Sequence, residues 1–155
     1  MGRVGFILAY ELSKEMRYAK GDVETPLATA TGYWLAEQPV VGTIFRAGLP
    51  LYNGVMQIFP EADNAFVGAY RNNAHGEDVT VRTDYIKSAN LTDRVLIMAD
   101  PMLATGTSLL DAVDALSREH GKPSEVHIIA AIAAVQGIKR VQEGLEEREF
   151  TEASI

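Results

Sequence analysis

The chain has 155 residues and no cysteine, with 21 acidic against 14 basic side chains and a formal charge of −7. That length suits one domain with a real core. The missing cysteines exclude disulfides and thiolate metal sites and fit a reducing compartment; the acidic balance argues against a general nucleic-acid or anionic-membrane binder; and no apolar run approaches the ~20 residues of a membrane span.

Residues 4–19 read as an amphipathic helix, with Val4, Ile7, Leu8 and Leu12 on its apolar face. Glu11 and Glu15 interrupt the run, which does not suit a signal peptide, and Phe6 stands where a myristoylation signal needs Ser or Thr. Gly21 is expected to end this helix, with Lys14, Arg17 and Lys20 near its C-terminal end. Thr25-Pro26 then predicts a second helix start, running to about Glu37 before Gln38-Pro39. Val40 to Phe45 is a short apolar strand, followed by Arg46-Ala47-Gly48-Leu49-Pro50 and a helix over roughly Leu51 to Phe59. Ala65 to Tyr70 is a strand ending in Arg71, and residues 72–78 form a polar loop. Val79, Val81, Thr83 and Tyr85 alternate with charged residues, which predicts a half-exposed strand on one side of a hairpin arm.

Val95 to Ala99 reads as a buried strand that stops at Asp100-Pro101. A loop of small residues, Leu103 to Thr107, leads into a helix with Leu109, Leu110, Val113 and Leu116 on one face. Strand, small-residue loop and helix start make a phosphate site: the helix N-terminus offers free N–H groups, and Gly106 lets the backbone approach an anion. By spacing alone an ordinary βα turn, capped by a box of Ser108 and Asp111, fits as well. No Walker A loop is present. Val126 to Ile132 is a further strand, Val135 to about Leu145 a final helix, and Phe150 to Ser154 the start of one more strand. Strands alternating with helices imply an α/β fold with a mainly parallel sheet flanked by helices. Without a repeat or linker, residues 1–155 are expected to form a single domain.

Three predicted strands deliver a polar residue at their carboxyl ends: Arg46, Arg71 and Asp100. A right-handed parallel sheet puts those ends on one side. Two guanidiniums beside a helix N-terminus suit a multi-phosphate ligand, since Arg grips phosphate in a bidentate fork. His75, His120 and His127 show no metal-ligand spacing. Asp111 and Asp114 fit a dipole partner and a solvated charge better than a metal site. Tyr33 and Trp34 are expected in a core or an interface.

Taken together, Arg46-Ala47-Gly48-Leu49-Pro50, Tyr70-Arg71 and Asp100-Pro101-Met102-Leu103-Ala104-Thr105-Gly106-Thr107-Ser108 resemble the uracil phosphoribosyltransferase family. The resemblance extends from Leu8-Ala9-Tyr10-Glu11 and Val23-Glu24-Thr25-Pro26-Leu27 through Gln136-Gly137-Ile138 to Thr151-Glu152-Ala153-Ser154-Ile155. It implies a type I phosphoribosyltransferase fold, Rossmann-like, that binds 5-phosphoribosyl 1-diphosphate with Mg²⁺ carried by that substrate. It also implies the activity, uracil and phosphoribosyl diphosphate giving UMP and diphosphate in cytoplasmic pyrimidine salvage. In the family, the positions matching Ala104 to Ser108 cradle the 5′-phosphate, and Pro101 and Leu103 belong to the same ligand-binding stretch. The acid matching Asp100 holds the ribose hydroxyls, and arginines matching Arg46 and Arg71 attend the diphosphate. Met102 and Ala104 match positions lining the uracil pocket.

The segment before Tyr85 resembles the family's protruding β-arm, so a homodimer or larger homo-oligomer is expected. Some members respond to GTP as an activator. The family continues beyond the position of Ile155 into a Tyr-Ile-x-Pro-Gly-Leu-Gly-Asp-Ala-Gly-Asp stretch that recognises uracil. That segment, and a hood segment near the N-terminus, are expected to be short or missing here. Two other readings stay open on sequence: a non-catalytic sensor of nucleotide or phosphoribosyl diphosphate, and a phosphoribosyltransferase for another base.

Overall fold

The computed structural model describes residues 1–71, 81–150 and 152–154. The chain runs α1 (Gly2–Ser13), β1 (Tyr18–Glu24), β2 (Thr29–Leu35), β3 (Val40–Phe45), α2 (Leu49–Val55), β4 (Asp63–Arg71), β5 (Val81–Ser88), β6 (Val95–Leu103), α3 (Thr107–His120), β7 (Glu125–Ala133), α4 (Val135–Glu146) and β8 (Glu152–Ser154). Six strands form the main sheet in the order β5-β4-β3-β6-β7-β8. All its pairings are parallel except β4 with β5. From β3 the chain adds strands on one side and then crosses to add β6, β7 and β8 on the other. The order therefore reverses between β3 and β6, and such a switch point opens a crevice at the carboxyl ends of the strands.

Alternation along the strands makes two cores. Val40, Leu96, Met98, Val126 and Ile128 face Leu109, Val113 and Leu116 of α3 and Val141 and Leu145 of α4. Val41, Ile97, Ala99 and Ile129 face Ala9 of α1 and Leu51 and Val55 of α2. Strands buried on both faces read as continuous apolar runs, which is why β3, β6 and β7 stand out in the sequence. The helices α1 and α2 cross at glycines: a Cβ on Gly54 would overlap the Gly2 carbonyl oxygen, and one on Gly5 the Leu51 carbonyl oxygen.

The two predicted N-terminal helices are corrected. Helix α1 stops at Ser13, and residues 18–35 form a separate antiparallel hairpin of β1 and β2. Gly21 ends no helix: it pairs with Gly32 across the hairpin, and the Trp34 indole covers both. Thr25 and Pro26 belong to the connecting turn, which closes through Thr25 N–H to the Ala28 carbonyl at 3.1 Å and Thr25 Oγ1 to the same carbonyl at 2.6 Å. Thr29, Thr31, Tyr33 and Trp34 favour a pleated strand over a helix, and that preference outweighs the proline signal. On α1 the inward stripe is Gly5, Leu8, Ala9 and Leu12, while Val4 and Ile7 are exposed. The close approach of α2 to Gly5 sets this rotation.

The expected hairpin before Tyr85 is present as β4 with β5, at the edge of the main sheet; the free-standing two-stranded arm is β1–β2. Residues 72–80, which carry the expected polar loop, lie outside the described residues. The strand β6 does not stop at Asp100-Pro101 but runs to Leu103. Its pairing with β3 ends at Thr43 and Ala99, and its register with β7 skips Pro101. A proline without an N–H therefore costs no ladder bond there.

Candidate active site

The site forms where β3 and β6 lie side by side. Thr43, fully buried, donates from Oγ1 to the Ala99 carbonyl at 2.8 Å, tying the two strands together one residue before Asp100. Beyond β3 the chain turns sharply, with Gly48 N–H donating to the Ile44 carbonyl at 3.2 Å. Gly48 is buried in this turn. A Cβ there would overlap Thr43 Oγ1 and crowd the Ala99 carbonyl at 3.1 Å. Arg46 and Ala47 are left exposed at the top of the turn, and the Phe45–Arg46 peptide is cis.

Asp100 is half-buried. Burial pushes its carboxyl above the ordinary range, and the Met102 N–H, donating to Oδ1 at 3.3 Å, draws it partly back. The loop Ala104–Gly106 follows. Gly106 caps α3 with φ at 76°, a left-handed conformation that favours glycine, and no side chain caps the helix. The expected box of Ser108 and Asp111 is not formed, because the cap position falls on Gly106. The first-turn N–H groups of Thr107 and Ser108 are thus left to an external acceptor. Thr105 and Thr107 bring their hydroxyls within 3.3 Å of each other.

Of the residues singled out by sequence, the structure brings Arg46, Asp100, Pro101, Met102 and the Ala104–Ser108 segment to one end of the switch point. Leu103 joins them by its backbone only, since its side chain is buried in the core. Arg71 ends β4, the neighbour of β3 on the far side, and its side chain lies outside the described residues. His127 is buried near the other end of the sheet, bonded through Nδ1 to Ser154 Oγ at 2.7 Å, and His75 lies outside the described residues.

Sequence reasoning singled out Met102 but missed the exposed apolar residues Ile132 and Val135. Met102 pairs in register with Ile132 of β7; both are 64% exposed, and Val135, at the start of α4, is 71% exposed. Met102 and Ile132, exposed side by side on neighbouring strands, offer an apolar face to a flat ring. Ile132 was visible only as the last residue of an apolar strand, with nothing to mark it as exposed.

A profile of the uracil phosphoribosyltransferase family matches residues 1–155. The chain belongs to the uracil phosphoribosyltransferase family. A uracil phosphoribosyltransferase from Porphyromonas gingivalis is 41% identical over 140 residues, 90% of this chain and 64% of that protein. The chain therefore spans less than two thirds of the length of this family relative. Among solved structures, the AQ2163 protein from Aquifex aeolicus is 31% identical with a TM-score of 0.81, over 99% of this chain and 70% of that one. A purine phosphoribosyltransferase from Pyrococcus horikoshii, 18% identical with a TM-score of 0.53 over 86% of this chain and 76% of that one, shares the fold. The α/β fold is that of the type I phosphoribosyltransferases, and the candidate site sits at its switch point.

Proposed function

We propose that this chain is the single-domain phosphoribosyltransferase core of an enzyme that converts uracil and 5-phosphoribosyl 1-diphosphate into UMP and diphosphate. The observation that carries the reading is the convergence of Arg46, Asp100 and the uncapped Ala104–Ser108 loop at the switch between β3 and β6. Family membership supports the same assignment. In this reading the loop N–H groups hold the 5′-phosphate and the Asp100 carboxylate accepts the ribose hydroxyls. Arg46, with Arg71 from β4, neutralises the diphosphate, and the face of Met102 with Ala104 and Ile132 takes the uracil ring.

Uracil N1 bonds to ribose C1 as the C1–O bond to diphosphate breaks; the leaving oxygen keeps the electron pair, and the N1 proton passes to the released diphosphate or to water. Positive charge gathers on the sugar as that bond breaks. A fixed carboxylate at the ribose and guanidiniums at the leaving group lower the barrier by electrostatics and by alignment. Among the described residues no three His, Asp or Glu side chains stand close enough to hold a metal ion alone. Mg²⁺, expected to arrive on the diphosphate, would neutralise leaving-group charge there.

The wider assignments rest on the same family reading: cytoplasmic salvage, GTP as an activator and a homodimer. The exposed Tyr18, Val23, Tyr33 and Trp34 of the β1–β2 arm favour the homodimer. Sedimentation of the Trp34→Ala variant tests it, and an unchanged dimer would remove the arm from the interface.

The direct test incubates the protein carrying this chain with uracil, phosphoribosyl diphosphate and Mg²⁺, with and without GTP. UMP and diphosphate are the expected products. Folded protein that forms no UMP refutes the reading. Turnover of another base, or ligand binding with no turnover at all, would instead select one of the two other readings.

A further inference from the structure

The phosphate loop is backed by the first turn of α4, and the contact is made through missing atoms. The Ala134 N–H donates to the Leu103 carbonyl at 2.8 Å. One turn on, Gly137 lies flat against the next carbonyl: a Cβ on Gly137 would overlap the Ala104 oxygen and sit 3.1 Å from the Leu103 oxygen. Gly106 meets the same helix one turn further on, where a Cβ would lie 2.5 Å from Val141 Cγ2 and 3.2 Å from the Gly137 carbonyl oxygen. Two successive carbonyls of the loop, of Leu103 and Ala104, are thus turned toward α4. In a planar trans peptide the C=O and the following N–H point in opposite directions. The peptide that aims the Ala104 carbonyl at Gly137 therefore aims the Thr105 N–H away from α4, into the open side of the loop.

We propose that Gly137 is a positioning residue for phosphate binding: by letting α4 close on the Ala104 carbonyl, it sets the peptide that presents the Thr105 N–H to the ligand's phosphate. The role rests on the phosphoribosyl reading of the loop given above. Gly137 touches no ligand itself. A methyl group there would push the Ala104 oxygen off α4 and rotate the Thr105 N–H out of line, while Arg46 and Asp100 stay where β3 and β6 put them.

The test titrates ribose 5-phosphate and, separately, inorganic diphosphate with Mg²⁺ into the wild-type chain and Gly137→Ala, following the Thr105 amide by ¹H–¹⁵N NMR. The expected result is ribose 5-phosphate binding weakened by about tenfold, the size of one misaligned hydrogen bond to a charged group. Diphosphate binding should be unchanged, and the ligand-induced shift of the Thr105 amide lost. A folded variant that binds ribose 5-phosphate like the wild type, with the same Thr105 shift, overturns the positioning role and leaves the phosphoribosyl reading standing. Equal loss of both ligands also overturns it, since that is general damage to the site. Wild-type protein that binds no ribose 5-phosphate refutes the phosphate-loop reading, and the positioning role falls with it. Should Gly137→Ala fail to fold, Ala134→Pro serves. Ala134 already has φ at −79°, within the range of proline. The substitution deletes the N–H that ties α4 to the strand end just before the loop; weaker ribose 5-phosphate binding with a lost Thr105 shift and unchanged diphosphate binding supports the role, and wild-type binding with the wild-type Thr105 shift overturns it.

Discussion

Replacing Asp100 by Asn is expected to move ligand binding and stability in opposite directions. The asparagine has the same shape, and its Oδ1 can still accept the Met102 N–H that now reaches Asp100 at 3.3 Å. The second oxygen has no hydrogen bond from the described residues and is the one free to take a ribose hydroxyl. Loss of the charge there removes a charge-assisted hydrogen bond of about 1.5–3 kcal/mol, which is roughly 10- to 150-fold in the Kd for ribose 5-phosphate. Stability follows from the half-buried carboxyl, whose native pKa lies above its ordinary 3.8 because of burial. Between 3.8 and that raised value the folded chain binds more protons than the unfolded one. The stability this group contributes is therefore present in full below pH 3.8 and lost as pH rises through the native value. At pH 7 the neutral Asn escapes that loss, so Asp100→Asn should unfold at a higher urea concentration than wild type, with the advantage shrinking as the pH is lowered. Calorimetric titration and urea melts across that range make the measurement. Wild-type affinity should also fall with pH through the same window, while the variant's stays flat. A variant that binds normally, or that is less stable at pH 7, would refute the roles given to Asp100.

Arg46→Ala, at an exposed turn, should weaken diphosphate binding by about tenfold or more and change stability by no more than about 0.5 kcal/mol, read by calorimetry and thermal melts. Thr43→Val removes the buried hydroxyl that satisfies the Ala99 carbonyl and should cost about 1–3 kcal/mol in urea unfolding. Gly54→Ala forces a methyl group into the α1–α2 crossing and should cost about 1–3 kcal/mol, with ligand affinity unchanged because that crossing lies on the face away from α3 and the loop.

The sheet was readable because its central strands are buried on both faces. Val40 to Phe45 coincides with β3, and the runs in β6 and β7 are offset only at their ends. The N-terminal third was misread for a physical reason. The arm of β1 and β2 carries no buried core of its own, so its strands lack the apolar alternation that marks a half-buried sheet. Lys14, Arg17 and Lys20 then imitate a helix C-terminus, although Arg17 in fact bonds Glu125 of β7 at 2.7 Å across the base of the arm. The rotation of α1 was hidden for a related reason. Gly5 counts as nothing on a hydrophobicity scale, yet it decides which face meets α2.

The candidate site divides along the same line. Charged groups at strand ends, Arg46 and Asp100, were visible because a polar residue closing an apolar run needs an explanation. Thr43 was present in plain view as the lone hydroxyl of β3 but gives no sign of its partner until β6 is known to be its neighbour. Gly48, Gly106 and Gly137 act by what they lack. Each lets one backbone segment lie against another, and only Gly106 stands in a turn that a sequence would flag. The consequence reaches specificity. The proposed phosphate loop relies on backbone N–H groups held by glycine contacts, so side-chain exchanges along it should alter it little unless they add a Cβ at those contacts. The platform of Met102, Ile132 and Val135 is made of side chains on two strands and a helix, free to change without disturbing β6 or the loop. On the proposed reading, the grip on the phosphoribosyl group is tied to the fold, whereas these exposed apolar positions can vary without disturbing it.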